Sequence, residues 1–433
     1  MTALAGLALL VWLYLILLRG QFWQFGPSLG VPGVRDVHGA SGGALGGLGD
    51  PGQPADGVRP SAVASDRVPS VAIVVPARDE AGVIVATIRS LLAQDYAGRF
   101  QVILVDDAST DRTGALARGL QGPGALGPGQ QDLSAPARAL PDSGALGRSQ
   151  QRQPLRVLNG TPPPAGWSGK LWAVAQGIAE AGDAEMLLLT DADIVHDPRH
   201  LSALVARGER DGLDLVSEMV ALACNGTAEH ALVPAFVYFF QLLYPFAWVN
   251  DPLRATAAAA GGTMLIRRRA LDRIGGIAAV RAALIDDVAL ARAVKRGGRI
   301  WLGHSELARS VRPYPGFAEI WRMVARTAYV QLRYSPLLLA ATTLGMALTF
   351  VMPPAAASFG HGAARVLGVL AWGGMAWSYL PTLRRFDRSP AWAVVLPVVA
   401  LFYMAATIGS ALDHYRGRGV RWKQRVYPGA VGS

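Results

Sequence analysis

Two aspartates follow a short apolar segment near the middle of the chain and suggest metal or phosphate chemistry. Residues 186–189 read Met-Leu-Leu-Leu, and Asp191 and Asp193 come after Thr190 with i, i+2 spacing. An apolar run of this length that stops at polar residues is typical of a buried strand, so both carboxylates are predicted at its carboxyl end, where open α/β sheets bind ligands. Mg²⁺ and Mn²⁺ prefer oxygen ligands and often use one or two protein carboxylates together with substrate phosphates. The pair predicts such a metal and diphosphate site, although the same spacing also occurs in turns and helix caps.

Polar side chains also follow three earlier strand-like segments, at residues 71–75, 102–105 and 155–158. Alternating strands and helices predict an α/β fold with a parallel sheet covered on both faces, and right-handed crossovers bring the strand ends to one edge. Carboxylates gathered there repel each other unless cations or hydrogen-bond donors lie between them. Asp79 or Asp107 could instead cap the helix that follows it. The polar residues at these strand ends are Arg78, Asp79, Glu80, Asp106, Asp107 and Asn159.

Composition indicates contact with a membrane. The 433 residues are 51% hydrophobic and only 17% charged, which is more apolar than an average soluble domain. Apolar segments at residues 3–18, 336–359, 366–380 and 391–412 are candidate membrane segments. The first has no basic residue before it and Arg19 after it, so it predicts a retained anchor with its carboxyl end in the cytosol.

The basic residues give an inconsistent orientation for the last three apolar segments. The loop at 383–388 and the tail at 415–425 are both basic, and a full span between them places one of them outside the cell. One segment is therefore predicted to be re-entrant or interfacial, and the one at 366–380 is short. The net charge of +10 fits a protein against an anionic inner leaflet. No nucleic-acid motif accompanies this charge, so nucleic acid is not an expected partner.

Two tracts rich in Gly, Pro and Ala divide the chain and contain little that a core could bury. The single Cys224 excludes an intrachain disulfide, and no Cys/His cluster has zinc spacing, so a buried apolar role is expected for it. The predicted organisation is a membrane anchor at 1–19, a flexible linker at 20–70, an α/β domain at 71–334 with a low-complexity insertion at 121–154, membrane segments at 335–414 and a basic tail at 415–433.

Four motifs resemble the ordered motifs of family 2 inverting glycosyltransferases, which have the GT-A fold. They are Pro-Ala-Arg-Asp-Glu at 76–80, Val-Asp-Asp-Ala-Ser-Thr-Asp-Arg-Thr at 105–113, Gly-Trp-Ser-Gly-Lys at 166–170 and Thr-Asp-Ala-Asp at 190–193. The third motif, the membrane segments and the tail are more narrowly similar to the branch that contains ceramide glucosyltransferases and bacterial hopanoid-associated glycosyltransferases. The resemblance covers about residues 71–334 and implies a GT-A domain there.

The resemblance implies a binding site for a nucleotide-diphosphate sugar, with a UDP-sugar favoured. Asp107, with Asp106 beside it, would bind the uracil or ribose side of the nucleotide, and Ala77 and Glu80 would frame it. Lys170 would add positive charge near the phosphates, with a solvated lysine at a helix start as the alternative.

Asp191 and Asp193 would coordinate Mg²⁺ or Mn²⁺, which neutralises charge on the leaving diphosphate, and Asp191 would thereby contact the donor. His304, Arg309 and Arg312 could also face the acceptor or the phosphates, but solvation in a loop explains them equally well.

A second carboxylate pair, Asp286 and Asp287, begins an apolar-striped helix at 286 and resembles the family's Glu-Asp element with Asp in place of Glu. Transfer to a hydroxyl requires removal of its proton, which a positioned carboxylate can accept. Asp287 is the candidate general base by position, with Asp286 as the other candidate. The helix dipole favours carboxylates at this place even without catalysis, so capping is the alternative.

Gly262 lies in a Gly-Gly stretch that would line the donor sugar and acceptor site, unless it is an ordinary strand entry. The aromatic segment 234–249 predicts an interfacial helix that could admit a lipid, with core packing as the alternative. Processive polysaccharide synthases carry Gln/Arg-x-x-Arg-Trp after the base, and the nearest match here is Met-Val-Ala-Arg-Thr at 323–327. Arg326 is a candidate to touch the diphosphate, and loss of the rest favours a single transfer.

The overall expectation is a metal-dependent glycosyltransferase that moves one sugar to a lipid hydroxyl, with hopanoid preferred over ceramide-like, carotenoid or diacylglycerol acceptors. The expected location is the inner membrane of a bacterium, with several spans and a cytosolic catalytic domain. A silent lipid-binding family member is the alternative, although it has no need for Asp191, Asp193 and Asp287. A transporter is disfavoured because the apolar segments contain almost no charge.

Overall fold

The computed structural model describes residues 1–29, 68–121 and 155–417, and the backbone of 420–422 and 425–427. The predicted linker and the low-complexity insertion therefore lie outside the described residues except at their ends. The strands are β1 Ser28–Leu29, β2 Val71–Ala77, β3 Phe100–Asp106, β4 Leu155–Asn159, β5 Met186–Thr190, β6 Ile194–His196, β7 Leu215–Ala221, β8 Thr263–Arg267, β9 Ile300–Ser310, β10 Val420–Trp422 and β11 Arg425–Tyr427.

Helices follow most strands, and two short 3₁₀ segments and one π segment accompany them. The α-helices are α1 Thr2–Leu18, α2 Ile84–Leu92, α3 Thr113–Arg118, α4 Gly169–Ala179, α5 His200–Arg210, α6 Thr227–Leu243, α7 Phe246–Asn250, α8 Arg268–Arg273, α9 Asp286–Lys295, α10 Phe317–Gln331, α11 Pro336–Met346, α12 Met352–Phe359, α13 Ala363–Arg385 and α14 Leu396–Tyr415; the 3₁₀ segments are Ile277–Val280 and Pro390–Ala393, and the π segment is Ala347–Val351.

The main sheet is mixed, and its strands lie in the order β1-β9-β7-β8-β5-β2-β3-β4, with β6 beside β9. Strands β5, β2, β3 and β4 are parallel neighbours, whereas β8 is antiparallel to both β5 and β7. Crossover helices connect the parallel strands, so their carboxyl ends meet at one edge. The predicted α/β fold is confirmed: the four strands β5, β2, β3 and β4 are parallel as expected, and β8 makes the sheet as a whole mixed.

Alternate residues of each central strand serve two hydrophobic cores. In β2, Ala72 and Val74 pack with α4 and α9, while Ile73 and Val75 pack with α2 and α5. Every residue of β2 is buried, as expected for a strand covered on both faces. This sandwich gives the strand ends a rigid base.

In the part of the chain that the structure describes, three helices are long and apolar enough to cross a membrane: Pro336–Phe359, Ala363–Arg385 and Leu396–Tyr415. The expectation that the second segment is short was wrong, because the helix extends beyond residues 366–380 at both ends. The first helix does not stop at its proline pair either. Pro353 and Pro354 fall in the first turn of α12, directly after the π segment, where a missing N–H costs no hydrogen bond.

The aromatic segment 234–249 is largely core, which supports the packing alternative. Tyr238 of α6 is fully buried and its hydroxyl lies 2.7 Å from that of Ser378 in α13. Phe239 packs against Phe350 and Tyr403. Cys224, expected to be buried, is half-buried beside the same cluster. Helix α6 thus joins the sheet domain to the apolar helices.

Candidate active site

The ends of β2 and β3 are tied together by backbone and side-chain hydrogen bonds. Ala77 and Asp106 are register partners, and the N–H of Asp107 donates to the carbonyl of Ala77 at 2.8 Å. Arg78 donates to the carbonyl of Asp107 at 2.6 Å, and its guanidinium lies 3.6 Å from the Asp107 carboxylate. Asp106 accepts the N–H of Ser109 at 3.0 Å. The predicted nucleotide-binding residues of these strands therefore share one edge.

Neither Asp79 nor Asp107 caps a helix, because α2 and α3 have no side-chain cap hydrogen bond. Asp79 instead accepts the N–H of Thr110 at 2.7 Å, and the N–H of Glu80 donates to the hydroxyl of Thr113 at 2.8 Å. The first loop is thus locked onto the second, and its carboxylates face the edge of the sheet.

Lys170 lies between the two carboxylate pairs. Its Nζ is 3.0 Å from Asp191 and 3.3 Å from Asp286, and its side chain is 25% exposed. Burial lowers the pKa of Lys170, but the charges of Asp191 and Asp286 outweigh burial and hold the pKa above its ordinary value. The helix start is set by Ser168, whose Oγ accepts the N–H of Leu171 at 3.3 Å. Lys170 is therefore a fixed cation of the site rather than a solvated lysine.

Arg312 forms the second cationic bridge. Its guanidinium lies 2.6 Å from Asp193 through Nε and 2.6 Å from Glu80 through Nη2. Burial lowers the pKa of Arg312, but the charges of Asp193 and Glu80 have the larger combined effect and hold this pKa above its ordinary value. This bridge links residues 232 positions apart. From the sequence alone, solvation in a loop explains Arg312 as well as a role at the site does. Its position just after β9 is the same as that of the other polar groups, which also follow strands.

The proposed metal ligands have suitable chemistry. Burial, then Asp193 and Asp286, raise the pKa of Asp191 against the opposing effect of Lys170, so negative charge is crowded where a divalent cation would relieve it. Among the described residues, no group of three or more His, Cys, Asp or Glu side chains could hold a metal. Mg²⁺ or Mn²⁺ would therefore need diphosphate oxygens to complete its ligand shell.

Asp287 is held by backbone donors. Its Oδ2 accepts the N–H of Gly261 at 2.9 Å and its Oδ1 accepts the N–H of Val288 at 2.7 Å. Burial and the neighbouring Asp286 raise the pKa of Asp287 to about 7, although Lys170 opposes them. A carboxylate with this pKa is suited to accept a proton near neutral pH.

Gly261, rather than Gly262, faces the charged groups. A Cβ at Gly261 would lie 3.3 Å from Asp287 and 3.6 Å from Lys170, whereas one at Gly262 would press on Val220 at 3.1 Å. The carbonyl of Gly262 accepts the N–H of Asp191 at 3.3 Å. The Gly-Gly pair is visible in the sequence, and only the fold distinguishes its two members.

A cavity of about 890 Å³ opens in front of these groups. Asp191, Asp193 and Asp286 line this cavity, and Arg326 on α10 lines it as well. His304 is elsewhere: it is buried and stacks on Phe25 with ring centroids 3.6 Å apart. Other lining residues come from α10 and α14 and include Trp321, Arg322, Met323, Tyr329, Val330, Ser410, Asp413 and His414.

A mixed α/β sheet with paired carboxylates and bridging cations at its carboxyl edge defines an enzyme that handles a nucleotide diphosphate. The family model described as Glycosyl transferase family 21 matches residues 153–432, and the model described as Glycosyl transferase family 2 matches residues 72–129. The chain belongs to glycosyl transferase family 21. The predicted glycosyltransferase activity class, acting on nucleotide sugars, is therefore confirmed.

Solved structures of glycosyltransferases are similar at low identity. The mannosyltransferase PcManGT from Pyrobaculum calidifontis, in complex with GDP-Man and Mn²⁺, is 18% identical with a TM-score of 0.46, covering 80% of this chain and 90% of that one. TarS 1–349 from S. aureus, in complex with UDP-GlcNAc, is 14% identical with a TM-score of 0.36, covering 81% of this chain and 93% of that one. No curated protein matches the sequence.

Proposed function

We propose that this glycosyltransferase transfers one sugar, with inversion, from a nucleotide-diphosphate sugar to the hydroxyl of a membrane lipid. The observation that carries this proposal is the shared cavity. The carboxylates and cations of the sheet edge line it together with residues of α10 and with Ser410, Asp413 and His414 at the carboxyl end of α14, a helix that is apolar enough to enter a membrane.

The wall of α10 and α14 has the character that an amphipathic acceptor requires. Trp321, Met323 and Val330 offer apolar surface, and Arg322 and Arg326 offer hydrogen-bond donors in the same cavity. A lipid with its chain or rings along the apolar surface would place its polar head toward Asp286. A hopanoid is the preferred acceptor by motif resemblance, with ceramide-like, carotenoid and diacylglycerol acceptors behind it.

In the proposed reaction the acceptor oxygen bonds to the anomeric carbon while the bond from that carbon to the diphosphate oxygen breaks. Asp287 accepts the hydroxyl proton, which its pKa near 7 permits. Lys170, Arg312 and Arg326 stabilise the charge that develops on the diphosphate. Mg²⁺ or Mn²⁺, held by Asp191 and Asp193, supplies further positive charge when bound. The donor is proposed to be UDP-linked, with Asp106 and Asp107 on the nucleoside side.

Asp287 is preferred over Asp286 as the base, although Asp286 is the one that lines the cavity. Asp286 lies 3.3 Å from Lys170 and is engaged in this ion pair. Asp287 is held by backbone N–H groups instead, and it lies beside Gly261, whose missing side chain leaves room for a substrate. A small rotation of Asp287 toward the cavity is therefore part of the proposal.

The catalytic domain is proposed to face the cytosol of a bacterium, with α14 re-entrant. The indole N–H of Trp372 donates to the carbonyl of Val394 at 3.2 Å. Trp372 lies thirteen residues before Arg385 in α13, about 20 Å along the helix. The chain between α13 and α14 therefore folds back along α13, and α14 begins at the middle of the apolar layer.

With this geometry Arg385 of the basic loop and Tyr415 at the start of the tail lie on the catalytic side. Arg385 lies over the ring of Phe25 at 5.7 Å, and Phe25 stacks on His304 of β9. At the other end of α14, the hydroxyl of Tyr415 is 2.9 Å from that of Tyr329 in α10. A re-entrant α14 removes the conflict between the basic loop and the basic tail.

The test is sugar transfer by membranes that contain the full chain. A panel of labelled UDP- and GDP-sugars would be supplied with extracted lipids, including hopanoids, with Mn²⁺ or a chelator. A labelled lipid that forms with wild type but not with Asp287→Asn supports the proposal and identifies donor and acceptor. Donor binding without a product from any lipid would favour the silent lipid-binding alternative.

A further inference from the structure

Behind the donor carboxylates lies a chain of buried polar side chains that the proposed chemistry does not use. The hydroxyl of Thr190 is 3.2 Å from Nε2 of His196, Nδ1 of His196 is 2.9 Å from Nδ1 of His200, and Nε2 of His200 is 2.7 Å from Oε2 of Glu218. Ser305 donates to the same oxygen of Glu218 at 3.0 Å. None of these five residues is more than 3% exposed. Five elements of the sheet domain contribute to this network.

The directions of its hydrogen bonds follow from the number of protons available. The Thr190 hydroxyl lies 2.9 Å from the carbonyl of Gly262, which can only accept, so the hydroxyl proton is used there. His196 must then donate through Nε2, and burial lowers the pKa of His196 well below its ordinary value, so it is neutral with a bare Nδ1. His200 in turn donates to that nitrogen through its own Nδ1. The 2.7 Å contact between Nε2 of His200 and Oε2 of Glu218 holds a further proton, so His200 is hydrogen-bonded through both ring nitrogens.

The network ends at the turn that holds the candidate base. Gly262 accepts from the Thr190 hydroxyl and from the N–H of Asp191, while the adjacent Gly261 donates to Asp287. Thr190 therefore connects the loop of the metal ligands with the turn that orients Asp287. With the hydroxyl turned away from Gly262, only the longer bond of 3.3 Å from the N–H of Asp191 would hold this carbonyl.

We propose that His196, supported by His200 and Glu218, is a positioning residue that orients the Thr190 hydroxyl and thereby sets the distance between the donor site and Asp287. This inference rests on the proposed function, since it assigns these residues to the same transfer reaction. None of the three touches the cavity that would hold the substrates.

The role differs from simple packing because it acts on the relative placement of two reacting groups. Misplacement by about 1 Å can cost about 10²-fold in rate, whereas loss of packing lowers the amount of folded protein. The turnover number of the folded fraction is thus the informative quantity. Donor affinity should change less, because Lys170 and Arg312 still surround the diphosphate site.

Thr190→Val is the first variant, because valine has the shape of threonine without its hydroxyl. We expect kcat to fall about tenfold to a hundredfold, with the donor Kd within about threefold of wild type. His196→Leu should give the same pattern, and His196→Gln, which keeps an N–H donor, should recover most of the activity. Tyr238→Phe is the control, since it loses one buried hydrogen bond to Ser378 remote from the cavity and should keep the wild-type kcat. Unchanged kcat in Thr190→Val would overturn the proposal.

Nitrogen-15 NMR of labelled histidines in the full chain tests the network without any assay. The expected signal for His196, assigned by its loss in His196→Gln, is a neutral ring with the proton on Nε2. A proton on Nδ1 would overturn the proposal even if transfer is observed. A third outcome is the expected tautomer with no sugar transfer by the wild type. It would contradict both the proposed function and the positioning role, and it would confirm only the hydrogen bonds of the network.

Discussion

Two parts of the cavity lining, the sheet edge and the α10 and α14 wall, are built in different ways. At the sheet edge, Asp107 and Asp193 are at most 8% exposed, and cations or backbone N–H groups hold the carboxylates from several directions. At the α10 and α14 wall, most of α10 is at least partly exposed, and hydrogen bonds of Tyr329, Ser410 and Tyr415 join the two helices. One of them runs from the Ser410 hydroxyl to the carbonyl of Ala325. The sheet edge is preformed for charge, while the wall can adapt to an apolar partner.

In the proposed reaction, this difference would combine fixed charge chemistry at the sheet edge with apolar recognition of the acceptor at the wall. Groups that stabilise developing charge must be oriented before the reaction, which a covered sheet provides. Apolar recognition depends on area rather than direction, which a helix wall provides. Changes at the sheet edge should therefore affect the rate, and changes at the wall should affect the acceptor KM.

The largest effect is expected for Asp287→Asn. The amide cannot accept the hydroxyl proton, so kcat should fall about 10²- to 10⁴-fold, while the donor Kd stays close to wild type. Single-turnover transfer and nucleotide-sugar binding would measure the two quantities. Asp286→Asn is the matched control, and a larger loss of kcat in that variant would move the base to Asp286.

Lys170→Met should have the next largest effect. It removes the cation between Asp191 and Asp286 and leaves crowded carboxylates, so both donor affinity and kcat should fall, together by about 10²-fold in kcat/KM for the donor. Steady-state kinetics with varied donor would measure this. Lys295→Met is the control. The ammonium group of Lys295 donates to the backbone carbonyls of residues 248, 249 and 256, so this variant tests whether loss of any partly buried lysine lowers kcat/KM.

Trp321→Ala at the wall should act on the acceptor only. Loss of its apolar surface is expected to raise the acceptor KM about tenfold, equivalent to about 1.4 kcal/mol, with donor hydrolysis by water unchanged. Kinetics with varied lipid in vesicles or nanodiscs would measure it. An equal loss of donor hydrolysis would mean that Trp321 also acts on the sheet edge, which would contradict this prediction.

The pH dependence should show the smallest effect but the sharpest link to geometry. At a pH below its pKa of about 7, Asp287 of the free enzyme is protonated. The value of kcat/KM should therefore rise with pH and level off above about pH 7. Asp286 raises the pKa of Asp287, so Asp286→Asn should move the rising limb to lower pH. A limb that stays in place in this variant would show that Asp286 does not act on the titrating group.

Much of the sheet edge could be predicted from the sequence. The apolar runs of β2, β3 and β5 and the polar residues after them are local patterns, and parallel connections then require their ends to meet. The membrane helices were also predictable, since length and apolar composition suffice. The length of α13 was underestimated, because its polar carboxyl-terminal turns are supported by neighbouring helices.

Contacts between distant residues could not be predicted in the same way. Nothing local says that Arg312 bridges Asp193 and Glu80, or that Gly261 rather than Gly262 faces Asp287. The i, i+4 spacing of His196 and His200 was visible, but it is equally compatible with two exposed side chains on a helix.

The sequence by itself determined the class of this protein, because strand ends, carboxylate pairs and apolar helices depend on residues close together along the chain. The tertiary structure decided which carboxylate meets which cation, which glycine opens the site and which helices wall the cavity. The physical reason is that charge pairing, burial and hydrogen-bond direction depend on distances between elements, and these distances exist only after the sheet and its helices have packed.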